Sequence, residues 1–216
     1  MENKEIGIYV HIPFCKRKCC YCDFISYSNK DSKIEEYIQA VKKEIAWQKT
    51  KSEITTGYIG GGTPSYIESR YIKEILEEIQ NKNVNENAEI TIEVNPGTVT
   101  IEKLRDYKEA GINRLSIGLQ SANDELLKQI GRIHNFEQFL ETYEMARNVG
   151  FENINVDLMF GLIFSISFSS CLREISRQIN GTIFQNNTQR IKSTIIVVSP
   201  CKLKGKICDT IIVKEL

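Results

Sequence analysis

The segment from Tyr9 to Phe24, YVHIPFCKRKCCYCDF, places three cysteines on a loop that leaves a predicted strand. The strand is the apolar stretch from Ile6 to Ile12, and Cys15, Cys19 and Cys22 follow it at C-x3-C-x2-C spacing. The chain has seven cysteines, an odd number that does not suit a disulfide framework, and clustered thiols more often bind metal or do redox chemistry. This stretch therefore predicts a bound cofactor at the end of the first strand.

Strands and helices alternate after this loop. Residues 57–59 are predicted to end a second strand, and further strands are predicted at residues 90–94, 113–119 and 153–160. Helices are predicted at about 32–50, 67–81, 100–111 and 135–150. Ser32 and Glu35 have the spacing of a capping box for the first helix, and Asn135 with Gln138 opens the last one. Repeated βα units predict an α/β fold with a parallel sheet, arranged as an open or closed barrel.

Residues that can carry chemistry lie where the predicted strands end. In a barrel of this kind the βα loops converge at the carboxyl ends of the strands. The residues found there are Cys15, Gly60 to Thr63, Glu93, Gln120 and Asp157. The glycine run makes a tight turn on its own, and its missing Cβ atoms would also let the backbone approach a ligand closely. Asp157 interrupts the apolar run from Val156 to Phe160, so its carboxylate needs a partner.

Composition excludes several classes of function. Lys plus Arg and Asp plus Glu both total 28, so the overall charge gives no reason to expect binding to nucleic acid or to an acidic membrane. No segment approaches the roughly 20 apolar residues that span a bilayer. The first residues have neither the apolar run nor the cleavage site of a secretory signal. We expect a soluble, cytoplasmic protein.

The character of the chain changes after Leu162. Residues 163–216 carry 8 Lys plus Arg against 3 Asp plus Glu, whereas residues 1–162 carry 20 against 25. Helical and strand periodicity also fades, and Thr194 to Val198 is the one strand-like run that remains. We therefore divide the chain into a core domain, 1–162, and a tail, 163–216, in which we recognise no domain. An altered reading frame near codon 163 would explain the tail.

Two kinds of site suit the three cysteines of the loop. A structural zinc site closes with four protein ligands, and His11 and Cys20 are the nearby candidates for the fourth, although Cys20 is adjacent to Cys19. A [4Fe-4S] cluster held by three thiolates leaves one iron open for a substrate or cofactor. The spacing favours the cluster and leaves zinc as the alternative.

The motifs as a set resemble the radical S-adenosylmethionine (SAM) superfamily. YVHIPFC-x3-C-x2-CDF is similar to the oxygen-independent coproporphyrinogen III oxidase-like branch, and GGGTPS, IEVNPG, RLSIGLQS, GRIH and NVDLMFGL follow in that branch's order. The resemblance covers about residues 6–162. It implies a partial (β/α)6-type barrel that is incomplete at its carboxyl-terminal side, because the LPGQT-like turn and further domain of that branch do not follow Leu162.

The resemblance also implies the cofactors and the residues that hold them. Cys15, Cys19 and Cys22 would bind a [4Fe-4S] cluster, and SAM would chelate its open iron. Positions that contact the cofactors in the family correspond here to Tyr9, Phe24, Gly61, Gly62, Thr63, Glu93, Gln120, Arg132 and Asp157. Of these, Gln120 and Arg132 would bind the ribose and the methionine carboxylate of SAM. No side chain is assigned as catalytic, since the cofactor supplies the radical chemistry.

Phe24 bears on the function that the resemblance implies. Members of the branch that oxidise coproporphyrinogen carry a further cysteine at this position, whereas the CDF form here is similar to the heme chaperones of the branch. The implied function is heme binding and transfer to an acceptor protein, with an electron donor such as flavodoxin or ferredoxin. The alternatives are a coproporphyrinogen III oxidase-type oxidoreductase of porphyrin biosynthesis and a non-functional truncated product.

Overall fold

The fold is a parallel sheet with helices between its strands. The computed structural model describes residues 5–159, 195–198 and 212–213. The first five strands are parallel neighbours in chain order: β1 (Glu5–Ile12), β2 (Glu53–Gly61), β3 (Val84–Val94), β4 (Arg114–Gln120) and β5 (Asn153–Met159). β6 (Ile195–Val198) continues the sheet parallel to β5, and β7 (Ile212–Val213) lies antiparallel to β6.

Helices connect each pair of consecutive strands from β1 to β5. They are α1 (Ile34–Trp47), α2 (Ser69–Gln80), α3 (Ile101–Glu109), α4 (Asp124–Gln129) and α5 (Phe136–Val149). Because parallel neighbours must be joined by such crossovers, the alternation seen in the sequence becomes a layered βα arrangement. The predicted α/β fold of a partial (β/α) barrel is confirmed. None of the helices in the described residues is long and apolar enough to cross a membrane.

The two faces of this sheet differ in chemistry. The outer face, which packs on the helices, carries buried apolar side chains: Ile59, Ile92, Leu115, Ile117, Ile154 and Val156. The inner face carries polar side chains, and the strand register places Glu93 beside Ser116 and Ser116 beside Asn155. Gly118 pairs with Asp157 in the next row. The inner face is therefore built for binding rather than for core packing.

Helix ends follow local sequence signals in most places. Thr100 caps α3 by accepting a hydrogen bond from the backbone N–H of Lys103, and Asn135 with Gln138 forms the capping box of α5. The predicted capping box of Ser32 and Glu35 is wrong, because residues 31–33 form a 3-10 turn and α1 has no side-chain cap. The carboxylate of Glu35 instead accepts a hydrogen bond from Gln39 and pairs with Arg70.

Some elements differ from their predicted extent. β3 begins earlier than predicted, and α4, a six-residue helix capped by Asn123, was not predicted at all. The strand predicted from Thr194 to Val198 is found as β6. The division of the chain at residue 162 and the rest of the tail fall outside the described residues and stay predictions.

Candidate cofactor site at the carboxyl ends of the strands

A cavity of about 480 Å³ lies where β1 to β5 end. Of the twelve residues that the sequence predicts at the site, Tyr9 alone does not line this cavity. The others do, namely Cys15, Cys19, Cys22, Phe24, Gly61, Gly62, Thr63, Glu93, Gln120, Arg132 and Asp157. Residues from five different strand ends therefore meet in one place, as the parallel topology requires.

The loop that carries the cysteines, residues 13–27, closes on itself at its base. The backbone N–H of Cys15 donates to the carbonyl of Tyr27 (3.0 Å), and within the loop the N–H of Cys22 donates to the carbonyl of Cys19 (3.1 Å). All three predicted ligands are free cysteines; Cys15 is buried, and Cys19 and Cys22 are partly exposed. This cysteine loop thus presents three thiols to one cavity from a folded turn.

A second anchor of the cysteine loop involves Cys20, which the sequence offered only as a candidate fourth ligand for zinc. The backbone N–H of Cys20 donates to the carbonyl of Ile130 (3.1 Å), and Gly131, at φ +80°, lets the two segments pack closely. A Cβ on Gly131 would lie 3.2 Å from the sulfur of Cys20. The thiol of Cys20 is exposed and does not line the cavity. Its backbone holds the loop, and its side chain lies outside the cavity that the predicted ligands line.

The glycine turn after β2 packs directly against the cysteine loop. A Cβ on Gly62 would lie 2.9 Å from the carbonyl oxygens of Ile12 and Phe14 and 3.0 Å from the sulfur of Cys15. Two backbone hydrogen bonds join the segments. The N–H of Gly62 donates to the carbonyl of Ile12 (2.8 Å), and the N–H of Thr63 donates to the carbonyl of Phe14 (2.9 Å). The hydroxyl of Thr63 also donates to the sulfur of Cys15 (3.5 Å). Only glycine fits this contact, because any side chain would push the loop away.

Glu93 lies on the inner face at the end of β3, in a nearly enclosed position. Its carboxylate accepts hydrogen bonds from the hydroxyl of Tyr58 (2.9 Å) and from the backbone N–H of Gly61 (3.0 Å). Burial raises the pKa of Glu93, and these two hydrogen bonds oppose the rise. Tyr58, which the sequence analysis did not single out, is therefore a partner that orients this carboxylate.

Asp157 is held by two other residues that the sequence analysis missed. The hydroxyl of Ser116 lies 3.0 and 3.1 Å from its two carboxylate oxygens, and the amide of Asn155 donates to one of them (2.6 Å). The pKa of Asp157 is raised to about 6. Burial is the largest cause and the charge of Glu93 adds to it, whereas the hydrogen bond from Ser116 opposes the rise. A signal for these partners exists, since Asn155 and Asp157 are polar at period two inside an apolar strand.

Arg132 joins the cysteine loop to the ends of β3 and β4. One terminal nitrogen donates to the hydroxyl of Tyr21 (3.2 Å) and contacts the sulfur of Cys19 (3.9 Å). The other donates to the side-chain oxygen of Asn95 (2.6 Å) and to the carbonyl of Gly118. The Nε–H of Arg132 is buried without a partner among the described residues. A buried, unsatisfied donor of this kind is a ready contact for an anionic group.

The remaining predicted residues occupy three different positions. Gln120 ends β4 beside an irregularity in the strand pairing and adopts φ +70°, which turns its side chain to the cavity wall. Phe24 lies at the cavity rim and is 62% exposed. Tyr9 lies three residues before the end of β1, where its hydroxyl is hydrogen-bonded to His11 (3.0 Å) and its ring stacks on Tyr58. The structure does not bring Tyr9 to the cavity, because Tyr9 lies further from the carboxyl end of its strand.

The arrangement can be tested against the two kinds of metal site. Within the described part of the chain, no three His, Cys, Asp or Glu side chains converge as they would around a single metal ion. A structural zinc site would need four ligands on one ion. Three thiolates that each bind a different iron of a cluster need not converge on one point. The free thiols, the partly buried carboxylates and the unpartnered Arg132 Nε–H fit a cluster with a zwitterionic ligand beside it.

Comparison with known proteins gives the family. The Radical SAM superfamily model matches residues 9–165. The heme chaperone HemW of Bacillus subtilis (strain 168) is 41% identical over 159 residues, which cover 71% of this chain and 42% of that protein. HemW of Escherichia coli (strain K12) is 37% identical over 163 residues, covering 73% and 43%. The chain thus spans less than half the length of these curated relatives.

Solved structures agree with this match. Coproporphyrinogen III oxidase (HemN) from Escherichia coli, a radical SAM enzyme, superposes with a TM-score of 0.77 at 28% identity, over 94% of this chain and 45% of that chain. The protein anSMEcpe with bound AdoMet superposes with a TM-score of 0.60 at 13% identity, over 94% and 55%, and supports the fold alone. The family match over residues 9–165 shows that this chain belongs to the radical SAM superfamily, which implies a [4Fe-4S] cluster and SAM.

Proposed function

We propose that this chain is the radical SAM domain of a heme chaperone. It would bind a [4Fe-4S] cluster through Cys15, Cys19 and Cys22 with SAM beside it, and take part in binding heme and passing it to an acceptor protein. The observation that carries the cofactor assignment is that all three thiols line one cavity together with the glycine turn, two partly buried carboxylates and a guanidinium. When bound, the cluster would supply an electron to the sulfonium of SAM.

The chain's own residues would bind and orient SAM. The carboxylate of Glu93, fixed by two hydrogen bonds, and the backbone of Gly61, Gly62 and Thr63 suit the amino group of the methionine moiety. The guanidinium of Arg132 suits its carboxylate, because charge-assisted hydrogen bonds of this kind are the strong ones. Gln120 would contact the ribose, with Asp157 nearby. We also propose Tyr9 and Phe24 as contacts from the family resemblance. Tyr9 lies outside the cavity, and Phe24 lies at its rim.

The heme function is proposed from the relatives and from one residue. The curated relatives are named heme chaperones, and Phe24 stands where the coproporphyrinogen-oxidising members would place a further cysteine. The exposed cations Lys16, Arg17 and Lys18 on the cysteine loop suit an electron donor with an acidic surface, such as flavodoxin or ferredoxin. We also propose a cytoplasmic location, on the basis of the same bacterial relatives.

A second candidate is oxidative decarboxylation of coproporphyrinogen III. It is favoured by the superposition on coproporphyrinogen III oxidase, whose TM-score is higher than that of the other structure compared. The experiment is to titrate the anaerobically reconstituted chain with heme and to assay the same preparation for protoporphyrinogen formation. Phe24→Cys, which creates the C-x-C spacing, is the matched variant.

The two candidates predict different results in this pair of assays. A heme chaperone binds heme stoichiometrically, forms no protoporphyrinogen, and gains none through Phe24→Cys alone. Product formation by the wild-type chain without stable heme binding would overturn the choice in favour of the oxidase.

A further inference from the structure

Lys103, in the first turn of α3, makes an unusual set of contacts. Its ammonium donates to the backbone carbonyls of Ser65 (2.9 Å), Ile67 (2.9 Å) and Thr98 (3.2 Å), with that of Tyr66 at 3.5 Å. No carboxylate forms an ion pair with it in the described residues. An ammonium has three hydrogens, so the carbonyls share them. One partly buried ammonium thus donates the hydrogen bonds that backbone N–H groups would otherwise donate to the carbonyls of two separate turns.

Both of these turns contribute to the cofactor cavity. The first, residues 60–67, comprises the end of β2 and the turn after it, and carries Thr63. The second, residues 95–98, follows β3 and begins with Asn95, the side-chain partner of Arg132. The turns also contact each other, since the buried hydroxyl of Ser65 accepts from the N–H of Asn95 (2.9 Å). Lys103 therefore binds the two turns at the place where they contact each other, and Thr63 and Asn95 of these turns line the cavity.

The chemistry of turns explains why a lysine is found here. Carbonyl groups in tight turns have no ladder partner, and leaving such groups buried and unpaired is costly. The ammonium of Lys103 is partly removed from water, and this burial lowers its pKa. The hydrogen bonds to the carbonyls offset that desolvation, and the flexible stem of lysine lets one ammonium reach both turns.

We propose that Lys103 is a positioning residue for the cofactor cavity: its ammonium fixes the turns at 60–67 and 95–98 against each other, so that Thr63 and Asn95 keep the places from which SAM and Arg132 are held. This inference rests on the proposed binding of SAM. Lys103 itself does not line the cavity.

The test compares Lys103→Met with Lys108→Met in the full chain. Lys108 is a matched control, because it lies on the same helix and its ammonium also donates to a carbonyl, that of Gly150 (2.9 Å), at the other end of the sheet. After anaerobic reconstitution, iron content and SAM affinity are measured by iron assay and equilibrium dialysis. We expect Lys103→Met to hold wild-type iron and bind SAM about tenfold more weakly, and Lys108→Met to stay within about twofold of wild type.

A second measurement needs no cofactor. Hydrogen exchange in the cluster-free chain reports the N–H of Tyr66, bonded to Thr63, and the N–H of Thr98, bonded to Asn95. We expect both to exchange about tenfold faster in Lys103→Met than in Lys108→Met at equal global stability, with Lys103→Arg close to wild type. If Lys103→Met does not fold, Lys103→Gln takes its place in both comparisons.

The outcomes separate the two claims. If the wild-type chain does not bind SAM, the proposed function fails, and the exchange experiment alone decides the role of Lys103. If the variants at 103 and 108 change SAM affinity equally, or if the two turns keep wild-type exchange, the positioning role is overturned.

Discussion

The outer and inner faces of the same five strands have opposite compositions. Leu115 and Ile117 of β4 are fully buried under the helices, whereas Ser116, between them, lies on the inner face and contacts Asp157. The same alternation occurs in β5, where Val156 packs outward and Asn155 lies inward. Parallel sheets covered on both faces usually read as continuous apolar runs. Here the polar positions show that the inner face surrounds a cavity, and that stability and binding are assigned to different faces.

The largest effect expected from this comparison is on the outer face. Ile117→Ala removes a side chain with 0% exposure, and the resulting loss of burial together with the cavity should lower the free energy of unfolding by about 3 kcal/mol. Urea unfolding followed by circular dichroism measures this loss. A loss below that of a substitution at neighbouring Ser116 would mean that the two faces are assigned the wrong way round.

A smaller effect, with a pH signature, is expected at Asp157. Because its pKa is raised to about 6 in the folded chain, its contribution favours folding at low pH and is lost as pH rises from the unfolded value toward the folded one. Asp157→Asn removes this dependence. As pH rises from about 4 to about 8, the free energy of unfolding of the variant should therefore increase by about 2 kcal/mol relative to that of wild type. Urea unfolding of both proteins across this range is the measurement. A constant difference would show that the carboxylate is not buried as described.

The smallest effect is expected at Ser116 itself. Ser116→Ala deletes one hydroxyl that donates to Asp157 and accepts from the amide of Asn155 (2.9 Å), which should cost about 1 kcal/mol of stability at neutral pH. The loss should be smaller at low pH, where a protonated Asp157 has less need of the donor. Unfolding at the two pH values, with Ile117→Ala as the pH-independent reference, tests this difference.

The sequence predicted the architecture because its signals were local and repeated. Asn135 and Gln138 form the predicted capping box, and the strand predicted at 113–119 is found one residue later. The capping box predicted at Ser32 does not form, because residue spacing alone does not determine which group a carboxylate binds. Glu35 found Gln39 and Arg70 instead, and the second of these is distant in sequence.

The site was predicted less completely, and the missing parts are pairs between strands. Glu93 and Asp157 were recognised as carboxylates at strand ends, but their partners Tyr58 and Ser116 lie 35 and 41 residues away along the chain. Such partners depend on strand register, which the sequence does not state. Tyr9 shows the converse case, since its alignment with a family position did not reveal that it lies below the cavity. The individual roles of the site residues remain predictions for experiment.

The central claim is that Cys15, Cys19 and Cys22, and not the adjacent Cys20, hold a [4Fe-4S] cluster in the cavity. Its most direct test is the iron and sulfide content, with the absorption spectrum, of anaerobically reconstituted wild type, Cys19→Ala and Cys20→Ala. The account predicts about four irons and about four sulfides in wild type and in Cys20→Ala, and loss of the cluster in Cys19→Ala. An unchanged cluster in Cys19→Ala, or its loss in Cys20→Ala, would contradict the assignment.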